Sequence, residues 1–467
     1  MVNLIFIAGI LFQKSHPDTE QPDSAVDTKP PHERAENTPS SILETVLFPS
    51  DLSPLSDTII RTLARSPGIR RFSLVHFITS RSREGAQSQS SLNSQKETFS
   101  SINNAPVTVK TENLADKDIP AAILTASSEE NASLIVIGAR KGILSRSLLS
   151  RSATVILTDS KTHVLIMRAP NTPWFGGKAT HAEQQDIFSK IIFPTDFSRP
   201  ANETLQILTK TPGIGEVILL HVIRKVEGDS AAMERTVHEI ETRLDRTRTA
   251  LELSGINVRT VIRFGKPCQQ ICAAATDEQA SMIMMSRYGK MDYLRQIPLG
   301  NTTSEVAFHT KVPILVAYTE IHPTISIREL GVDEFYLAEK IWLDYHATKS
   351  DPATDRIFCV FVEDTPVSVA RCKRHPDGFE VDGVFTWEEF RGKGYARKAM
   401  EGLVAACGSE VLYMYAVAHL VNLYSSLGFI PIKEKELPAN VRKRYAWAMG
   451  DMKGTEVCPM KRNSGPQ

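Results

Sequence analysis

The chain, 467 residues long, is predicted to be α/β: two tandem doubly wound parallel-sheet domains followed by a third α/β domain, a length that suits about three separate cores. Three observations lead there. Leu47-Phe48-Pro49-Ser50-Asp51-Leu52-Ser53 returns as Ile192-Phe193-Pro194-Thr195-Asp196-Phe197-Ser198, an offset of 145 residues that also carries Leu74-Val75-His76 onto Leu219-Leu220-His221. Strands that are apolar throughout, such as Leu134 to Gly138 and Ser281 to Met285, alternate with helical stretches, which implies a parallel sheet covered on both faces. Toward the C-terminus, Arg391-Gly392-Lys393-Gly394-Tyr395-Ala396 follows an apolar strand and opens a helix, a context that suits a diphosphate.

In chain order, residues 1–40 are expected to be disordered. Met1 to Phe12 is apolar but lacks a basic flank and is too short to cross a bilayer, so it reads as a mistaken start or a loose tail and not as an anchor. Gln13 to Ser40, rich in Pro, Asp, Glu, Ser and Thr, has too little apolar surface to order itself. The first repeat occupies 41–169 and closes with the strand Val164 to Met167; a Pro- and Gly-containing linker spans 170–186; the second repeat occupies 187–320 and closes with Ile314 to Ala317. The second repeat's helix from Ala231 to Ser254 places Val237, Ile240, Leu244 and Leu251 on one face. The junction at Thr319 to Pro323 is short, so the third domain, 321–467, is expected to pack against the second repeat. In that domain Asp333 to Tyr345 reads as a helix, Glu380 to Thr386 as a strand and Tyr395 to Ala406 as an Ala-rich helix. Asn422 to Gly428 reads as a short helix ended by a glycine, with a strand after it.

Acidic and basic residues are equal at 54 each, so no global field argues for nucleic acid or an anionic membrane as partner. The six cysteines include no C-x-x-C pair to anchor zinc, and they read as free thiols in a reducing cytoplasm. His76 and His221, inside apolar strands without a neighbouring carboxylate or cysteine, read as core histidines. Arg442, Lys443 and Arg444 read as a solvated basic face.

The glycine-rich loop together with Leu423-Tyr424-Ser425-Ser426-Leu427-Gly428-Phe429 resembles the GNAT superfamily of acyl-CoA-dependent N-acetyltransferases, over roughly residues 324 to 450. The resemblance implies acetyl-CoA as co-substrate. Main-chain groups of Val384, Phe385 and Thr386 would meet the pantetheine arm and thioester. Arg391, Gly392, Lys393, Gly394, Tyr395 and Ala396 would hold the diphosphate, with Glu388 and Glu389 at the loop's rim. Tyr424 would protonate the departing thiolate, and Asp382, with Glu380 on the same face, would take the amine proton. Val417 stands where the family usually has an asparagine. The acceptor amine is left open between a small molecule and a protein lysine.

The duplicated region resembles the universal stress protein family, a Rossmann-like α/β fold whose members often bind ATP through an aspartate after the first strand and a G-x2-G-x9-G-(S/T) loop. Asp51 and Asp196 match that aspartate, and each also sits where a helix cap is expected. The loops depart from the pattern: Gly138 is followed by Lys141 and Gly142, one position late, and Arg151 replaces a glycine before Ser152. In the second repeat Ser286 replaces the first glycine, Gly289 is kept, and Gly300-Asn301 stands where G-(S/T) is expected. The resemblance implies ATP or AMP as a ligand of the repeats, pairing of the two copies within the chain or a homodimer, and a stress-response role regulating or positioning the acetyltransferase. The alternative is a non-enzymatic nucleotide sensor or scaffold whose last domain only binds CoA.

Overall fold

The computed structural model describes residues 41–79, 85–114, 118–139, 151–168, 186–224, 230–345, 347–451 and 457–465. The expected disorder over 1–40, nearly all of the linker, and Lys141 and Gly142 lie outside these residues.

The first repeat runs β1 (Thr45–Pro49), α1 (Pro54–Ala64), β2 (Arg71–Thr79), α2 (Gly85–Ser100), β3 (Val107–Leu114), α3 (Ile119–Glu129), β4 (Leu134–Ala139), α4 (Arg151–Asp159) and β5 (His163–Arg168). The second follows the same plan: β6 (Lys190–Pro194), α5 (Arg199–Lys210), β7 (Glu216–Ile223), α6 (Ser230–Glu252), β8 (Asn257–Phe264), α7 (Pro267–Asp277) and β9 (Met282–Ser286). A short extra helix, α8 (Lys290–Leu294), precedes α9 (Asn301–His309) and β10 (Ile314–Ala317).

These strands form one ten-stranded sheet in the palindromic order β3-β2-β1-β4-β5-β10-β9-β6-β7-β8. Pairing is parallel inside each repeat, as between β1 and β2 or β6 and β7. The halves join antiparallel, with Val164, Leu165 and Ile166 opposite Val316, Leu315 and Ile314. The repeats thus pair inside one chain, and two edge strands that would otherwise present open hydrogen-bonding groups are closed against each other. A reciprocal contact matches this symmetry: a Cβ on Gly68 would fall 2.1 Å from Pro212 Cγ, and one on Gly213 would fall 2.4 Å from Pro67 Cγ. Both glycines have positive φ, +89° and +80°, so close approach and backbone conformation each require them.

Alternate residues of the central strands enter opposite layers. Leu74, Val136 and Leu165 join one core, Val75, Ile135 and Ile166 the other, and both cores run through both repeats. Within α6, Leu244 and Leu251 are buried, while Val237 and Ile240 are only partly so. His76 Nδ1 lies 2.9 Å from Ser50 O, and His221 Nδ1 lies 2.8 Å from Thr195 O, so each histidine ties the second strand to the turn after the first.

The C-terminal domain runs β11 (Ile325–Glu329), α10 (Phe335–Ile341), β12 (Asp355–Val362), β13 (Thr365–His375), β14 (Gly378–Thr386), α11 (Tyr395–Cys407), β15 (Leu412–Val417), α12 (Val421–Ser425), β16 (Ile430–Pro431), α13 (Ala439–Asp451) and β17 (Val457–Arg462). The helix expected over Asp333 to Tyr345 is α only across the seven residues of α10, with 3-10 turns on either side. The sheet order is β11-β12-β13-β14-β15-β17-β16, and β14 with β15 is its parallel pair. Tyr288, Tyr293 and Leu294 of the second repeat are buried in one cluster with Phe390, Tyr395 and Met400, and Arg199 reaches Glu363 at 3.2 Å. The third domain packs on the second repeat, as the short junction implies.

Candidate functional site

The parallel partners β14 and β15 are in register only at Phe379 with Leu412 and Glu380 with Tyr413; beyond these the strands part. Between Arg371 and Val369 the register on β13 shifts relative to β14, so Gly383 and Val384 form a bulge. Gly383 has φ +58°, and the Trp342 indole lies against it, its ring carbon 2.8 Å from where a Cβ would sit. Trp342 Nε1 donates to Gly383 O at 2.7 Å and fixes the kink. The divergence turns one edge of Val384 to Thr386 away from β15. Their other edge remains on β13, where Thr386 Oγ1 lies 2.7 Å from Ser368 Oγ.

From Thr386 the chain passes through Arg391 to α11. Gly392 and Gly394 both have φ +78°, and a Cβ at either would meet no atom within 4 Å. Their glycine character therefore serves the left-handed backbone and leaves open space in front of the helix start, as an incoming phosphate needs. Arg391 lies over the Phe385 ring at 5.2 Å and donates through Nε to Thr386 O at 3.2 Å. Lys393 Nζ donates to the Arg295 carbonyl of the second repeat, and Tyr395 is buried beneath the loop. Ala396 is partly buried in the first turn of α11.

Below the splay lies a dense ionic cluster. Asp382 accepts from Arg371 Nε at 2.6 Å and Nη2 at 2.7 Å, and from Arg444 Nη2 at 2.6 Å. Arg371 also reaches Asp355 at 3.0 Å; its side chain is 3% exposed and that of Asp355 0%, so the charges are buried as a set. Burial opposes the Arg371 charge, but the two aspartates outweigh it and the guanidinium is held charged. Glu380, fully buried, lies 2.7 Å from His375 Nε2 and 3.3 Å from Arg444 Nε; its Oε1 has no hydrogen-bond partner among the described residues. Burial, followed by the Asp382 charge, raises the Glu380 pKa above the ordinary carboxylate range.

Tyr424, 4% exposed, packs with Phe429 at 6.4 Å between ring centres, and burial pushes its phenol up to about 12. Tyr345 packs beside Phe385 of the splayed strand, with ring centres 5.3 Å apart. It interacts electrostatically with Tyr424 and with Asp382. Glu380, Asp382, Tyr345 and Tyr424 are thus gathered around the splayed strand. Both oxygens of Asp382 are engaged by guanidiniums, whereas Glu380 faces His375 through one oxygen and Arg444 through the other. Arg444, expected on a solvated face, is instead the cluster's second guanidinium, whereas Arg442 and Lys443 are exposed. Arg371, Tyr345 and His375 carry no sequence signal for this role. Val417 closes β15 opposite Val457.

In the repeats, Asp51 Oδ1 accepts from Ser53 N at 3.1 Å and Ser56 Oγ at 2.7 Å. Asp196 Oδ1 accepts from Ser198 N at 3.1 Å, and its Oδ2 accepts from Lys290 N at 2.7 Å. Both aspartates organise their turns, beside Leu52 and Phe197 in matching left-handed conformations with φ +59° and +58°. Each also lines a cavity. The one containing Asp51, Gly138 and Ser152 holds about 290 Å³. The one containing Asp196, Gly289 and Asn301 holds about 470 Å³ and adds Arg224, Lys290 and Asp292, which the motif comparison missed. Gly300 is the N-cap of α9, whose first residues Asn301, Thr302 and Thr303 line this cavity. No group of residues that could hold a metal ion, and no helix long and apolar enough to cross a membrane, occurs among the described residues. All six cysteines are free thiols.

The universal stress protein family model matches residues 43–168 and 188–317, and the acetyltransferase (GNAT) family model matches 320–429. The universal stress protein MJ0577 of Methanocaldococcus jannaschii is 32% identical over 154 residues, covering 28% of this chain and 94% of its own. A universal stress protein from Archaeoglobus fulgidus is similar in structure over 58% of this chain and 97% of its own, with 21% identity and a TM-score of 0.39. The ribosomal-protein-S18-alanine N-acetyltransferase from Escherichia coli is similar over 31% of this chain and 96% of its own, with 14% identity and a TM-score of 0.24.

Proposed function

This chain belongs to the universal stress protein family and carries a GNAT acetyltransferase domain after two stress-protein domains, and from that premise we propose that it transfers the acetyl group of acetyl-CoA to an amine, a small molecule or a protein lysine. The observation that carries the reading is the parting of β14 from β15 directly before a loop with two left-handed glycines in open space. The diphosphate meets the N–H groups from Arg391 to Ala396, and the pantetheine arm runs along the free edge of Val384, Phe385 and Thr386.

The amine nitrogen attacks the thioester carbonyl carbon, the C–S bond breaks, and the amine proton leaves through water to Glu380. Asp382 orients Arg444, which lies beside Glu380. Tyr424 meets the departing sulfur. A phenol at about 12 is a weaker acid than a thiol with a reference value of ~8.5, so Tyr424 acts chiefly by donating a hydrogen bond as charge builds on sulfur. The second stress-protein domain, with the larger cavity and with Arg224 and Lys290 in its wall, takes an adenine nucleotide, ATP or AMP. The protein works in the cytoplasm.

Incubation with labelled acetyl-CoA and a panel of amines or a cell lysate tests the transfer. Label on small molecules or on proteins identifies the acceptor class. Binding without transfer would favour the rival reading, a nucleotide-sensing scaffold that only holds CoA, which Val417 in place of the usual asparagine speaks for.

A further inference from the structure

The cavity of the second stress-protein domain and the diphosphate loop share a wall. Lys290, Met291 and Asp292 of α8 line the cavity, while the next two residues, Tyr293 and Leu294, are buried against Phe390 and Tyr395, which flank the loop. Arg295 belongs to both sides: it lines the cavity, its Nη2 lies 2.7 Å from Glu389 Oε1, and its carbonyl accepts Lys393 Nζ. Lys393, a cation in the middle of the diphosphate loop, is therefore bound to a main-chain oxygen of another domain. On the cavity side the Asp292 carboxyl lies at the start of α9, where it lines the cavity together with Asn301. Its Oδ2 sits 2.8 Å from where a Cβ on Gly300 would be. An internal carboxylate thus already occupies the anion position in front of α9.

We propose that α8 is a lever between the two sites: an adenine nucleotide entering the cavity displaces Asp292 from the start of α9, shifts α8, and releases Lys393 to the acetyl-CoA diphosphate. This rests on the reading that the cavity takes an adenine nucleotide. A phosphate and the Asp292 carboxylate cannot both occupy the start of α9, since like charges in contact repel strongly. Displacing Asp292 moves the helix that carries it, and the rigid backbone of Tyr293 to Arg295 transmits the movement to the loop. The nucleotide favours the state in which Lys393 is free, and so does acetyl-CoA, so each tightens the binding of the other by one common factor.

The test is calorimetry on the full chain, titrating acetyl-CoA with and without saturating ATP or AMP, then nucleotide with and without acetyl-CoA. Acetyl-CoA is expected to bind about five-fold or more tightly in the presence of nucleotide, with the same factor in reverse. Glu389→Ala, which cuts one tether between α8 and the loop, is expected to shrink that factor toward one while nucleotide still binds. Nucleotide binding that leaves acetyl-CoA affinity unchanged overturns the lever and spares the nucleotide reading. Weaker acetyl-CoA binding with nucleotide present also overturns it, since the nucleotide then competes for the diphosphate loop. Binding of nucleotide by Asp292→Ala but not by the native chain means that the carboxylate is a permanent plug and again overturns the lever. No binding by either overturns the nucleotide reading and the lever together.

Discussion

Gly394→Val separates what the diphosphate loop does for folding from what it does for binding. A Cβ at this position would meet no atom within 4 Å, so the folded protein bears chiefly the cost of an L-residue at φ +78°, about 1–2 kcal/mol. That is small beside a typical domain stability of about 5–15 kcal/mol, and the domain should still fold. The two methyl groups, however, project into the space in front of α11 that a phosphate must enter to reach the N–H groups. Charge-assisted hydrogen bonds contribute about 1.5–3 kcal/mol each, so losing two weakens acetyl-CoA binding by roughly 3–6 kcal/mol, a factor on the order of 10² to 10⁴ in Kd. Gly428→Ala is the matched control. Gly428 has φ +88°, and a Cβ there makes only an ordinary 3.5 Å contact with Arg462 Nε, so the backbone cost is similar and the loop is untouched. Calorimetry with acetyl-CoA, paired with thermal unfolding, should give comparable losses of stability for both variants and a large loss of affinity for Gly394→Val alone. Equal acetyl-CoA affinity in Gly394→Val and the native chain would remove the loop from the site.

Tyr424→Phe keeps the packing against Phe429 and deletes the hydroxyl; kcat should fall about 10²-fold or more while acetyl-CoA affinity stays within about two-fold, and an equal fall in both would refute the role. Glu380 must be ionised to accept a proton, and its pKa is raised, so kcat/KM should climb with pH through a limb above the ordinary carboxylate range; Glu380→Gln should erase that limb, and a profile unchanged by the substitution would exclude Glu380 as base. The same shift bears on folding. Glu380 favours the native state fully only below its unfolded value, near 4.5, and that contribution is lost as pH rises through the folded value, so Glu380→Gln should flatten the decline of stability with pH in this window. Arg371→Leu leaves Asp355 and Asp382 buried without their main partner and should destabilise the C-terminal domain by about 3–5 kcal/mol, measured by denaturant unfolding; a loss under about 1 kcal/mol would mean that the cluster is far more hydrated than its burial implies.

The tandem repeat, its parallel strands and the glycine-rich turn before α11 are legible along the chain, because each is written in local pattern. An apolar run at Leu134 to Gly138 must be covered on both faces wherever it lies, and two glycines before a helix permit a left-handed turn whatever surrounds them. Asp51 and Asp196, expected as helix caps, stand two residues too early: they accept from the N–H groups of Ser53 and Ser198, and it is these serines that cap α1 and α5. The rest of the site depends on segments far apart in the chain. Arg444 meets Asp382 from 62 positions away and lies 3.3 Å from Glu380, and this turns an apparently solvated cation into a partner of two buried carboxylates. The bulge at Gly383 is set by the Trp342 indole, 41 positions earlier. The seat of Lys393 on Arg295 exists only because the third domain docks on α8, 98 positions away. Periodicity and turn chemistry act over a few residues and survive in one dimension; charge pairing, desolvation and docking act through space and are settled only when the chain has closed on itself.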